Sequence, residues 1–188
     1  EESWKRNLEN GLWVWWNEDG KKNQEGNYRS GQQHGTWINY NEKGRKIEES
    51  QWKNGELFGK TTLWDKNGNK TILKSFKEDE KDGLWIWWSP NGKKVKEGNF
   101  KLGDKNGKWT YYHANGKKKR LENYKLGKKN GKLIVWFENG QKEREESYKN
   151  DEKHGKWTYW FENGRLDKEE KYTNGVQTDG KHYDYFDN

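Results

Sequence analysis

The stretch Gly107-Lys-Trp-Thr-Tyr-Tyr-His-Ala-Asn-Gly-Lys-Lys-Lys-Arg-Leu-Glu-Asn-Tyr-Lys-Leu-Gly-Lys-Lys-Asn-Gly131 returns to its own opening after 24 residues. Outward from it, Gly11, Gly35, Gly59, Gly83, Gly107, Gly131 and Gly155 keep that step without a slip. A second ladder follows nine residues later, at Gly20, Gly44, Gly68, Gly92, Gly116, Gly140 and Gly164. A third holds Gly31, Gly55, Gly103, Gly127 and Gly175, with Asp79 and Asp151 in the two remaining places. Three phased ladders define a tandem repeat.

Within each unit, runs such as Trp13-Val-Trp-Trp16 and Trp85-Ile-Trp-Trp88 combine the aromatic and β-branched types that suit a pleated surface. Asn-Gly or Asp-Gly closes most of these runs, which predicts two-residue type I′ turns. A glycine every few residues argues against helix, at about 1 kcal/mol each relative to Ala. The expected fold is all-β: an elongated, twisted, single-layer antiparallel meander of 24-residue β-hairpins, solenoid-like, joined by Lys-x-Gly-x-x-x-Gly loops. The spacing divides one repeat domain, residues 1–188, into a half repeat (1–10), seven repeats (11–34, 35–58, 59–82, 83–106, 107–130, 131–154, 155–179) and a closing strand (180–188), with Lys181 to Phe186 as that strand. Units one and four resemble each other, as do units three and six, which suggests a 72-residue superperiod.

A two-residue loop at Asp19-Gly20 puts Trp13 and Trp15 on one face with Tyr28, and Val14 and Trp16 on the other. The second face then carries an aromatic column: Trp16, Tyr40, Trp64, Trp88, Tyr112, Trp136 and Trp160. This column and the Tyr28-to-Tyr172 column read as the fold's own packing. On the first face the rings thin out in units three and six, at Thr61, Leu63, Leu133 and Val135. That irregularity singles out Trp13, Trp15, Trp37, Trp85, Trp87, Trp109, Tyr111, Trp157 and Tyr159 as candidate partner-binding residues.

Composition bounds the function. The hydrophobic fraction is 27%, low enough for disorder, yet 14 Trp, 10 Tyr and 6 Phe supply large buriable rings. With 38 basic residues interleaved among 31 acidic ones, the +7 net charge reads as a solvated surface and argues against nucleic acid. No Cys offers a nucleophile or a thiolate zinc ligand, the four His are scattered, and the glycines close hairpins without opening helices. The pattern therefore predicts no enzyme, no metal and no cofactor. No apolar run is long enough for a transmembrane helix. The chain starts at Glu1 and holds no Met, which places the natural start upstream and is compatible with a removed signal.

The unit Gly107 to Lys118, followed by Glu122 to Gly131, resembles the bacterial MORN-variant (YwqK-type antitoxin) repeat family, MORN standing for membrane occupation and recognition nexus. The resemblance runs from Trp4 to Phe186 and weakens at Lys60 to Lys77, where the first Trp is lost. It implies a β-hairpin array used for protein contacts, with lipid-surface binding proposed for eukaryotic relatives. A looser resemblance, to choline-binding and clostridial-toxin repeats, points to a glycan. The partner classes carried forward are a protein or a second copy of the chain, then a glycan, then a membrane surface.

Overall fold

The computed structural model describes residues 4–5 and 8–183, and holds no helix among them. The chain divides into two compact units, residues 1–93 and 94–188. In the first, Gly11–Trp16, Lys22–Arg29, Gln32–Tyr40, Lys46–Lys53, Gly59–Trp64, Lys70–Lys77 and Gly83–Trp88 follow one another as an antiparallel meander. The second repeats the pattern from Lys94–Lys101 through Asp104–Tyr112, Lys118–Lys125, Gly131–Trp136, Lys142–Lys149, Gly155–Trp160 and Leu166–Thr173 to Val176–His182. In neither unit do the first and last strands pair with each other, so each sheet is open. Trp4–Lys5 pairs with Leu8–Glu9 in the register that Tyr28–Arg29 keeps with Gln32–Gln33, as a half repeat requires.

The turns correct the expectation. At Asp19-Gly20 the loop has three residues: Gly20 N donates to Asn17 O at 3.0 Å, and Asn17 N to Lys21 O at 2.8 Å. Gly20 alone carries a positive φ, +72°, and a bulge follows where Trp16 meets Lys22. The residue before this glycine is chosen for a different job. Asn115, Asn139 and Asn163 each accept, through Oδ1, the backbone N–H two residues on, at 2.9 Å. Type I′ turns stand instead at the other end of the strands, inside the expected long loops: Ser30 and Gly31 have φ of 52° and 77° between the paired Arg29 and Gln32.

The longer loop and its bulge each add one residue, and their effects cancel. Trp15 still faces Gln24, Trp13 faces Gly26 and Gly11 faces Tyr28, so the predicted division of faces holds. One position is buried in every repeat: Trp13, Trp37, Thr61, Trp85, Trp109, Leu133 and Trp157, each between 1% and 7% exposed. On the opposite face Trp16 is 56% exposed while its repeat equivalents are half-buried. Those rings alternate with lysines: Lys46 Nζ lies 5.6 Å from the Trp64 ring, and Lys142 Nζ 5.4 Å from Trp160. The last strand begins at Val176, earlier than expected, and pairs with Leu166–Thr173. Of the expected closing strand, residues 184–188 lie outside the described residues.

Candidate interaction face

Four of the buried indoles satisfy their one donor on the neighbouring strand. Trp37 Nε1 donates to Asn27 O at 3.1 Å, and Trp85, Trp109 and Trp157 donate to Ser75 O, Asn99 O and Ser147 O at 3.0 Å. A Trp that is buried, paired and edge-packed is architecture. Of the nine sequence candidates, Trp13, Trp37, Trp85, Trp109 and Trp157 therefore lie in the core. Their replacement by Thr61 and Leu133 does not mark a functional position, because both substitutes are as buried as the rings they replace.

Trp15, Trp87, Tyr111 and Tyr159 stand two residues further along the same face and are half-buried. In the first unit Trp15 lies 5.6 Å from the Trp37 ring and 6.4 Å from Tyr28, and Trp87 lies 5.6 Å from Trp85. In the second unit cations cover the equivalent rings. The Arg120 guanidinium is 4.2 Å from the Tyr111 ring, and Lys168 Nζ is 4.3 Å from Tyr159.

Residues that sequence reasoning missed complete the second unit's face. Arg120-x-Glu122-x-Tyr124, Arg144-x-Glu146-x-Tyr148 and Lys168-x-Glu170-x-Tyr172 recur at the repeat spacing on the core side of three strands. Arg144 Nε lies 2.8 Å from Glu146 Oε1, and Tyr148 donates its O–H to Glu146 Oε2 at 2.8 Å. Tyr124 and Tyr172 donate to Glu122 and Glu170 in the same way, at 3.0 and 3.2 Å. Glu122 and Glu146 are buried, at 4% and 7% exposed. Burial first, and the neighbouring carboxylates second, push the Tyr124, Tyr148 and Tyr159 phenols above their ordinary range. Lysines fill the remaining gaps: Lys105 Nζ is 4.5 Å from Trp109 and 4.6 Å from Tyr124, and Lys153 Nζ is 4.4 Å from Trp157 and 4.5 Å from Tyr172. The period-2 pattern Arg/Lys-x-Glu-x-Tyr, repeated three times, was the signal available in the sequence.

No group of three metal-ligating side chains occurs among the described residues. The carboxylates sit one per hairpin, about 10 Å apart along the sheet, and each is held by its own cation and phenol. What this arrangement offers is a rigid surface of rings, cations and hydrogen-bonding groups.

No curated protein matches the chain. Among solved structures, the crystal structure of the GtfA/B complex bound to UDP and GlcNAc is similar at 12% identity and a TM-score of 0.26. The alignment covers 58% of this chain and 21% of that one, so the chain spans about a fifth of that relative's length. The MORN repeat variant family model matches residues 9–30, 81–102, 105–126, 129–150 and 153–174, together more than half of the chain. Repeats two and three, the latter built around Thr61, fall outside the match. The chain belongs to the MORN repeat variant family, a non-enzymatic repeat family associated with protein- and membrane-binding scaffolds.

Proposed function

We propose that the chain is a scaffold that holds a protein partner on its ring face, with the half-buried Trp15, Trp87, Tyr111 and Tyr159 as contacts. The observation that carries this reading is the two-residue offset: one ring of each pair is sealed in the core, and the next stands half-buried on the same face, against a neighbouring ring or under a cation. Such pre-positioned Trp, Tyr and Arg side chains are the types that dominate binding energy at protein interfaces. The resemblance to antitoxin-type repeats supports a toxin as that partner, or a second copy of the chain in its place.

The test is quantitative. A partner recovered by crosslinking is identified, purified and titrated against the wild type, against Trp15→Ala/Trp87→Ala, and against Tyr111→Ala/Tyr159→Ala. Loss of at least tenfold in affinity with an unchanged circular dichroism spectrum supports the proposal. Full affinity in both variants overturns it. Saturable quenching of Trp fluorescence by a polysaccharide, abolished in Trp87→Ala, would replace the protein with a glycan, and pelleting with anionic liposomes would replace it with a membrane.

A further inference from the structure

The interleaving of charge across the whole chain conceals a local excess. Between residues 101 and 132 stand eleven Lys or Arg against two acids, Asp104 and Glu122. That is +9 in a chain whose total is +7, so everything outside this segment is net acidic. Glu122 does not offset the excess on the sheet's other side, because it is buried on the core face with Arg120 and Tyr124.

On the opposite face the strand Lys118–Lys125 carries no carboxylate, and the carboxylates on neighbouring strands are engaged: Glu97 with Lys94 and the Tyr112 hydroxyl, Glu145 with Lys132 and Lys142. Pairing places Lys108 against Asn123, Thr110 against Leu121, and Tyr112 against Lys118, with Leu121 beside Ile134 on the next strand. In four other repeats the lysine equivalent to Lys118 is held by a glutamate three residues on: Lys22–Glu25, Lys46–Glu49, Lys94–Glu97 and Lys142–Glu145. Here that residue is Leu121, and the lysine is released. Among the described residues Lys101, Lys108, Lys118, Lys119, Lys125 and Lys128 make no ion pair. Two half-buried rings, Tyr112 and Trp136, flank Lys118 on this face, in equivalent positions about 10 Å apart.

We infer that this face, built on Lys108, Lys118, Lys119, Tyr112 and Trp136, binds single-stranded nucleic acid. Unpaired lysines follow a phosphodiester backbone, while ring faces between them receive unstacked bases without regard to sequence. Asn123 and Thr110 add neutral hydrogen-bonding groups, and the two carboxylates that flank the face, Glu97 and Glu145, are each neutralised by a lysine of their own strand. An acidic protein would find the cations but would leave the spaced rings without a matching planar group. This surface is on the other side of the sheet from the protein-contact rings proposed above, so the two readings stand or fall separately.

The experiment is fluorescence anisotropy of labelled oligo(dT) with the full chain over a series of salt concentrations. Binding at low salt is expected to weaken at least tenfold in Lys108→Gln/Lys118→Gln/Lys119→Gln, and the log–log salt slope to flatten by about 2, at roughly 0.7 per lost phosphate contact. Lys43→Gln, in the first unit, leaves the affinity unchanged. Trp136→Ala weakens binding roughly tenfold while leaving the salt slope alone, because stacking releases no counterions. No binding at low salt overturns the proposal, as does a triple variant that binds like the wild type. Heparin or duplex DNA bound as tightly as oligo(dT), with no loss in Trp136→Ala, also overturns it and leaves unselective attraction of polyanions.

Discussion

The Trp109 indole lies directly on Gly98, its cross-strand partner, so closely that a Cβ on Gly98 would stand 2.2 Å from the ring. Trp37 covers Gly26 in the same way. Neither glycine has a positive φ; both are there for close approach. Gly98→Ala is therefore expected to cost about 3 kcal/mol, since neither the Trp109 ring, 1% exposed, nor the backbone beneath it has room to yield. Urea unfolding followed by Trp fluorescence measures this, and a loss under 1 kcal/mol would show that the ring can tilt away.

Asp151 and Lys129 are joined by two bonds: Asp151 N donates to Lys129 O at 3.0 Å, and Lys129 N donates to Asp151 Oδ1 at 2.7 Å. Asp79 and Leu57 make the same pair in the first unit. This explains why aspartate stands where glycine is otherwise kept, despite a φ of +71° at Asp151. Asp151→Ala retains the strained backbone and loses the carboxylate, at an expected cost of about 2 kcal/mol. Asp151→Gly relieves the strain and costs less. Amide exchange at Lys129 should accelerate in both variants, and unchanged protection would refute the second bond.

The 24-residue period, the strand assignment and the two faces were legible because glycine spacing and side-chain alternation are both local signals. Turn type was misread because Asn before Gly serves equally for a positive φ or for a side-chain bond to the backbone, and the repeat uses the second. Burial was not legible at all. Trp13 and Trp15 are the same residue on the same face, and only the packing of neighbouring strands decides that one is sealed and the other open. The Lys118 release was readable in principle, from Leu121 in a glutamate position, but it was masked by averaging charge over the chain.

Glu146 supports two groups at once, the Arg144 guanidinium and the Tyr148 phenol. Glu146→Ala should cost about 2 kcal/mol, because a half-buried phenol and a half-buried cation lose their common buried acceptor. Glu146→Gln keeps an acceptor and costs less. Glu143→Ala, which removes the other, more exposed ion pair of Arg144, is expected to change stability by under 0.5 kcal/mol. Equal losses from Glu143→Ala and Glu146→Ala would mean that burial of the carboxylate is not what makes Glu146 matter.

Titration should limit stability from both sides. Glu25 is held below its ordinary value of 4.5 by hydrogen bonds first from Lys22 and then from Tyr40, and Glu145 by bonds from Lys132 and Lys142. For these groups the folded value is depressed, so their contribution is present above about pH 4.5 and is lost as pH falls through the folded value. Tyr112 is raised to about 12, by burial first and then by its hydrogen bond to Glu97. For a raised group the sign reverses: the contribution is whole below the ordinary value of 10 and is lost between there and about 12. Tm measured across the pH range should therefore be flat near neutrality and fall at both ends. In Tyr112→Phe the alkaline fall should be shallower and the acid limb nearly unchanged, and an alkaline limb identical to that of the wild type would remove Tyr112 from the account.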